Sequence, residues 1–202
     1  MIGILDYGLG NLYSVYNALI YLGADVMIVN DNKNISNLTS LIIPGVGSFK
    51  KAMENLSDKK MIKPIKDFAI SGKPLLGICL GMQLLATSGY EPSKTSGLGL
   101  ISGQVKLLNT NMRLPHVGWN NIELIKKNKL FDGVKTNADF YFVHSYHFSP
   151  NNSNTIITKT DYNSQFVSGI NKENIYGLQF HPEKSQKQGL NILRNFIQLS
   201  NA

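Results

Sequence analysis

Cys79, the one cysteine in the chain, sits in Gly77-Ile78-Cys79-Leu80-Gly81-Met82-Gln83, after the apolar run Pro74-Leu75-Leu76 and before Leu84-Leu85-Ala86. This pattern reads as a strand, an abrupt turn and a helix, with a thiol at the corner. A side chain there projects from a sheet edge toward helix-start amides, whose unpaired N–H groups and positive dipole end favour a thiolate. Most free cysteines are buried and behave as small hydrophobes. Gly77 and Gly81 argue for a nucleophile instead, because they supply a tight turn and a close backbone approach that packing alone does not need.

A base for that thiol is available in Gln179-Phe180-His181-Pro182-Glu183, directly after an apolar strand. In extended backbone His181 and Glu183 point the same way, and Pro182 restricts the chain between them. In nucleophilic catalysis the imidazole takes the thiol proton, while the carboxylate holds its tautomer and stabilises its charged form. A strand-end histidine alone is more often just hydrogen-bonded; the Cys79 corner is what gives this pair its meaning. Attack on a carbonyl also needs donors for the developing oxyanion. Gly45 and Val46, in Pro44-Gly45-Val46-Gly47, and the amide of Leu80 after the nucleophile are the candidates, the glycines letting that loop's peptides reorient cheaply.

These groups need a scaffold that brings distant segments to one edge. The first hundred residues alternate strands at 2–5, 26–29, 41–43 and 75–78 with helices at 11–22 and about 61–71. Such alternation predicts a parallel sheet covered on both sides, with its ligand site beyond the carboxyl ends of the strands. Both Cys79 and the Pro44-Gly45-Val46-Gly47 loop fall at such ends. Beyond Gly97 shorter strands are predicted at 104–108, 121–124, 140–146, 156–160, 166–170 and 176–180, then a closing helix at 188–199. The expectation is an α/β core extended by antiparallel strands.

With 202 residues, 43% of them hydrophobic, the chain can bury a sizeable core and reads as one domain. No apolar segment approaches a membrane span, and Met1-Ile2-Gly3-Ile4-Leu5-Asp6 lacks a basic region ahead of a hydrophobic one, so a cytosolic protein is expected. A single cysteine excludes an internal disulfide, and the four scattered histidines show no ligand spacing, so no metal is expected. The net charge of +7 is spread over singles and pairs such as Lys50-Lys51 and Lys126-Lys127. Without a long basic run interleaved with aromatics, it reads as a solvated face, and no nucleic-acid partner is expected. His116, His144 and His147 read as structural. Alternation along 141–147 sets His147 beside Tyr141 and Ser145, and His144 beside Phe142 and Tyr146.

Taken together, these segments resemble the class I glutamine amidotransferases. Gly77-Ile78-Cys79-Leu80-Gly81-Met82-Gln83, with His181 and Glu183 far downstream, is similar to that family's triad. Pro44-Gly45-Val46-Gly47, Leu114-Pro115-His116-Val117-Gly118-Trp119-Asn120, Tyr141-Phe142-Val143-His144-Ser145-Tyr146 and His181-Pro182-Glu183-Lys184-Ser185-Gln186 resemble one branch, the glutaminase subunits of imidazole glycerol phosphate synthases. Matches run from Asp6-Tyr7-Gly8-Leu9-Gly10-Asn11 to the final helix.

The resemblance implies a flavodoxin-like α/β fold: a central, mostly parallel sheet flanked by helices with an added antiparallel strand region, in one amidotransferase domain over 1–202. It implies that Cys79 attacks the side-chain amide of L-glutamine, with His181 first as base and then as acid. Water then releases glutamate from the thioester, and no cofactor is required. Gln83 and the backbone of Ser145 and Tyr146 match positions that hold the substrate. Ammonia would pass through the barrel of a cyclase partner in a heterodimer. That partner makes imidazole glycerol phosphate and an aminoimidazole carboxamide ribotide in histidine biosynthesis. Asn11, Trp119, Tyr141 and Lys184 fall at partner-interface positions; their ordinary alternatives are a helix cap, a core indole, a strand aromatic and a surface charge. A paralogous glutaminase subunit serving surface-sugar amidation would share the triad and differ only in partner and acceptor.

Overall fold

The computed structural model describes residues 1–201. Its first part runs β1 (Ile2–Leu5), α1 (Leu12–Tyr21), β2 (Val26–Val29), β3 (Ser40–Ile43), α2 (Phe49–Asp58), α3 (Ile62–Ile70), β4 (Leu75–Ile78) and the short α4 (Leu80–Leu84). Strands β5 (Ser88–Tyr90), β6 (Lys94–Ser96), β7 (Gly103–Leu107), β8 (His116–Asn121), β9 (Glu123–Leu124), β10 (Asp139–His144) and β11 (Tyr146–Pro150) follow. Then come β12 (Ile156–Asp161), β13 (Gln165–Lys172), β14 (Ile175–Leu178) and the long helix α5 (Gln186–Ser200).

The main sheet has the order β2-β1-β3-β4-β14-β13-β12-β9. Its first five strands are parallel and the remainder antiparallel. Strands β1, β3, β4 and β14 are buried throughout, as their continuous apolar runs require of a sheet covered on both faces. Ile4, Ile42, Leu76 and Ile78 face one core with Val15 and Leu19 of α1 and Ile192, Leu193 and Phe196 of α5. Leu5, Leu41, Ile43 and Leu75 face the other with Phe49, Met53 and Leu56 of α2 and Ile65 and Phe68 of α3. The mostly parallel centre with an antiparallel extension is the expected architecture. No helix among the described residues is long and apolar enough to cross a membrane.

Three local differences from the sequence expectation have physical causes. Helix α2 occupies a stretch where no element is expected, although Phe49, Ala52, Met53 and Leu56 stand at helical spacing and all are buried. The strand expected over 140–146 is cut at Ser145, where the chain leaves β10, paired with β8, for β11, paired with β7. His147 therefore lies in a different sheet from Tyr141, and a single alternation across them does not hold. The strand expected over 121–124 is also divided: Asn121 ends β8, Ile122 plugs the core, and Glu123–Leu124 joins the edge of the main sheet.

Candidate active site

The parallel strands β3, β4 and β14 end side by side, and the segments leaving them build the site. Cys79 follows β4, and its backbone N–H donates to Leu178 O of β14 at 2.7 Å. Its own backbone stands at φ +54°, ψ −110°, a conformation that side chains rarely adopt. Two close approaches hold the corner this sharp. A β-carbon on Gly77 would come within 2.5 Å of the Gly81 carbonyl oxygen, and one on Gly81 would overlap the Ile43 carbonyl of β3. Helix α4 is thus pressed onto the sheet end. It is only five residues long, so it offers the local amides around Leu80 rather than the dipole of a long helix.

His181 leaves the sheet just past β14, and its side chain is buried, as is that of Glu183. The His181 Nδ1–H donates to Glu183 Oε1 at 2.8 Å. Among the described residues His181 Nε2 has no hydrogen-bond partner, so nothing competes there for a proton from the thiol. Burial alone would lower the pKa of this imidazole. The neighbouring Cys79 sulfur, and after it Glu183, outweigh burial and push it up to about 10, so that a proton leaving the sulfur is held on the imidazole. The thiol has neighbours of two kinds: Sγ lies 3.7 Å from Val143 O, an acceptor, and 3.7 Å from Gln179 Nε2, a donor.

A cavity of about 150 Å³ opens beside the sulfur, lined by Val46, Gly47, Cys79, Leu80, Gln83, Glu91, Val143, His144, Ser145 and Tyr146. Of the expected oxyanion donors, Val46 and Leu80 face this cavity. Gly45 lies behind them, where a β-carbon would overlap the Tyr7 hydroxyl and approach Leu80 Cβ to 3.0 Å. That hydroxyl donates to Pro44 O at 2.6 Å, and burial, reinforced by the nearby Cys79 sulfur, raises its pKa so that it stays a donor. The expected substrate residues Gln83, Ser145 and Tyr146 are all on the wall, and Gln83 Nε2 donates to Tyr146 O at 2.8 Å. Sequence reasoning missed three participants. Glu91 closes the cavity with a carboxylate whose Oε2 also accepts from Phe49 N at 3.0 Å. Tyr7 follows β1 and has the sequence context of an ordinary core aromatic. Gln179 precedes the His181 motif without a role of its own in the sequence reading, though a polar residue at the end of an apolar run is a signal.

Residues 3–199 match the family model for glutamine amidotransferase class-I. The chain belongs to the class I glutamine amidotransferases. It is 43% identical to the imidazole glycerol phosphate synthase subunit HisH of Moorella thermoacetica, covering 98% of this chain and 94% of that protein. It is 46% identical to the subunit of the same name from Methanocaldococcus jannaschii, covering 98% of this chain and all of that protein (100%). The fold is also that of a chain in the structure of PurLQS from Thermotoga maritima, with a TM-score of 0.78 at 16% identity over 98% of this chain and 97% of that one.

In this amidotransferase His144 stands in the cavity wall and His116 is bonded to it. His144 Nδ1 lies 2.9 Å from Tyr146 O, which is an acceptor, so Nδ1 carries the hydrogen and Nε2 accepts. His116 Nδ1 then donates to that Nε2 at 3.2 Å, and His116 Nε2 accepts from Asn120 Nδ2 at 3.3 Å. The relay assigns one neutral tautomer to each ring and ties Ser145 and Tyr146 in place. Burial lowers the pKa of His116 to about 4 and that of His144 to about 3. Both folded values lie below the ordinary histidine value, so between them the unfolded chain binds more protons and stability falls as pH drops. The expected loss from these two rings is about 2 kcal/mol each, about 4 kcal/mol together, from about pH 7 to about pH 5. Urea unfolding at both pH values measures it, and His144→Gln is expected to roughly halve this contribution.

Three of the expected interface residues, Trp119, Tyr141 and Lys184, gather on one side. Trp119 is 49% exposed, which overturns a core-indole reading. Its ring meets Tyr141 edge-on at 6.1 Å, and Lys184 Nζ stands 5.8 Å over the same tyrosine. Asn11 stands just before α1 and makes no side-chain cap; the helix it precedes packs on the turn Pro182–Lys184. Tyr141 is bonded directly to the site: its carbonyl accepts from His181 N at 2.9 Å, and its N–H donates to Ser185 Oγ at 3.0 Å.

Proposed function

We propose that this chain is the glutaminase subunit of an imidazole glycerol phosphate synthase. Cys79, His181 and Glu183 form its triad, and L-glutamine occupies the cavity beside the sulfur. The observation that carries the reading is the buried His181–Glu183 pair next to a strained Cys79, in a chain whose full-length relatives at over 40% identity bear that subunit name.

The chemistry follows from the geometry. The Cys79 proton passes to His181 Nε2 as Sγ bonds to the carbonyl carbon of the glutamine side chain, and Glu183 steadies the resulting imidazolium. The oxygen takes up the negative charge near the amides of Leu80 and Val46. When the intermediate collapses, the C–N bond breaks and His181 returns the proton to the departing nitrogen, which leaves as ammonia. Water, deprotonated by His181, then adds to the thioester, and glutamate departs as the C–S bond breaks and the thiol is reprotonated. Glu91 supplies negative charge at the cavity wall suited to the α-ammonium group of the amino acid. Gly45 and Val46 complete the oxyanion site, and Gln83 and the backbone of Ser145 and Tyr146 help hold the substrate. Asn11, Trp119, Tyr141 and Lys184 form the face for a cyclase barrel that receives the ammonia within a cytosolic heterodimer. No nucleic acid takes part.

The test is glutamine-dependent synthesis with the same organism's cyclase subunit and the formimino-ribulosyl substrate of the histidine pathway. Glutamate and imidazole glycerol phosphate are expected in equal amounts, faster than hydrolysis by this chain alone. Intact glutaminase activity with no coupled product would overturn the assignment and favour a surface-sugar acceptor.

A further inference from the structure

We propose that Gln179 is a catalytic residue, its carboxamide N–H donating to the Cys79 sulfur so that the thiolate is supported as it forms and again as it departs. The inference deepens the glutaminase reading and rests on it. Gln179 is fully buried at the end of β14, where its backbone N–H is already satisfied by Ser168 O at 2.9 Å. A polar side chain is costly there unless it has partners. It has two: Nε2 lies 3.7 Å from Cys79 Sγ, and Oε1 accepts from Gln83 Nε2 at 3.1 Å.

The orientation of this amide is decided by its neighbours. The Tyr146 carbonyl can only accept, so Gln83 must present Nε2 to it. The second hydrogen on that nitrogen meets Gln179, which must therefore turn Oε1 toward Gln83. Its own N–H₂ is left facing the sulfur. Two carboxamides thus connect the cavity wall to the nucleophile.

The two polar contacts at the sulfur respond oppositely to ionisation. Val143 O accepts from the thiol, and that bond is lost when the proton moves to His181. The Gln179 contact grows stronger, because a hydrogen bond to a charged partner is roughly twice as strong as a neutral one. An interaction that strengthens along the reaction accelerates it, whereas uniform binding does not. Gln179 does not line the cavity, so a variant that keeps its acceptor for Gln83 and loses only the donor acts on chemistry rather than on glutamine binding.

The test compares the parent with Gln179→Glu, which keeps the shape and the acceptor for Gln83 but loses the donor, and Gln179→Met, which loses both. Carbamidomethylation of Cys79 by iodoacetamide is timed on the full chain at about pH 7. The values of kcat and KM for glutamine are measured in the complex with the cyclase subunit. Alkylation and kcat are expected to fall about 10-fold in Gln179→Met and about 100-fold in Gln179→Glu, with KM within about twofold in Gln179→Glu, where the acceptor for Gln83 is kept. Alkylation and kcat within about twofold of the parent in both variants would overturn the inference. A parent complex that hydrolyses no glutamine would instead defeat the glutaminase reading, and the alkylation rates would still decide the contact.

Discussion

Cys79→Ala is expected to lower glutamine hydrolysis by at least about 10⁴-fold while the protein remains cooperatively folded. The two effects separate because the thiol contributes little packing beyond its β-carbon, whereas no other group in the cavity wall can form the thioester. Ammonia-release assays and a thermal melt on the same preparation check both halves; turnover retained by the pure variant would defeat the mechanism. A companion variant isolates the backbone. Cys79 has φ +54°, and a β-carbon there carries strain of about 1–3 kcal/mol. Cys79→Gly is therefore expected to be as inactive as Cys79→Ala but more stable than it by roughly 1 kcal/mol, because glycine relieves that strain at some cost in unfolded-state entropy.

Gly81→Ala has the largest expected effect on stability. The new methyl would occupy the position of the Ile43 carbonyl oxygen, and that carbonyl belongs to a central strand that cannot withdraw. Helix α4, buried from Leu80 to Leu84, must lift instead and carry the Leu80 amide and Cys79 with it. A loss of at least about 3 kcal/mol is expected in chemical denaturation, and the fraction that folds should be inactive. Gly99→Ala is the control: Gly99 has φ +67° but nothing within reach of an added methyl, so it bears the conformational cost alone, about 1 kcal/mol. Equal losses in the two variants would show that the clash at Ile43 is relieved elsewhere.

The parts of this molecule legible in its sequence are those written in short-range patterns. Continuous apolar runs mark β1, β3 and β4, and the glycines flanking Cys79 mark the corner, since only a tight turn requires both. His181 and Glu183 are readable for a similar reason: alternation across one proline sets their shared direction. What escapes depends on partners distant in the chain. The break at Ser145 arises because β10 and β11 pair with β8 and β7, a choice no local window contains. Tyr7 reads as a core aromatic until its hydroxyl is seen on Pro44 O. Gln179 carries no charge and belongs to no recognised constellation of acid, base and nucleophile, so its place beside a sulfur a hundred residues away emerges only from the parallel register of β4 and β14.

That register also sets a timetable. Ile78 pairs with Leu178, so the neighbour that completes β4 is synthesised about a hundred residues later. At ordinary ribosomal speeds this leaves an interval of roughly 5–20 s. During it Leu75, Leu76 and Ile78 present an unpaired edge, the kind of surface that invites association with other chains. On the proposed mechanism the thiol also waits for its base. A nascent chain halted before β14 has Cys79 but neither His181 nor Glu183, so glutamine turnover is expected to begin only once synthesis has passed residue 183.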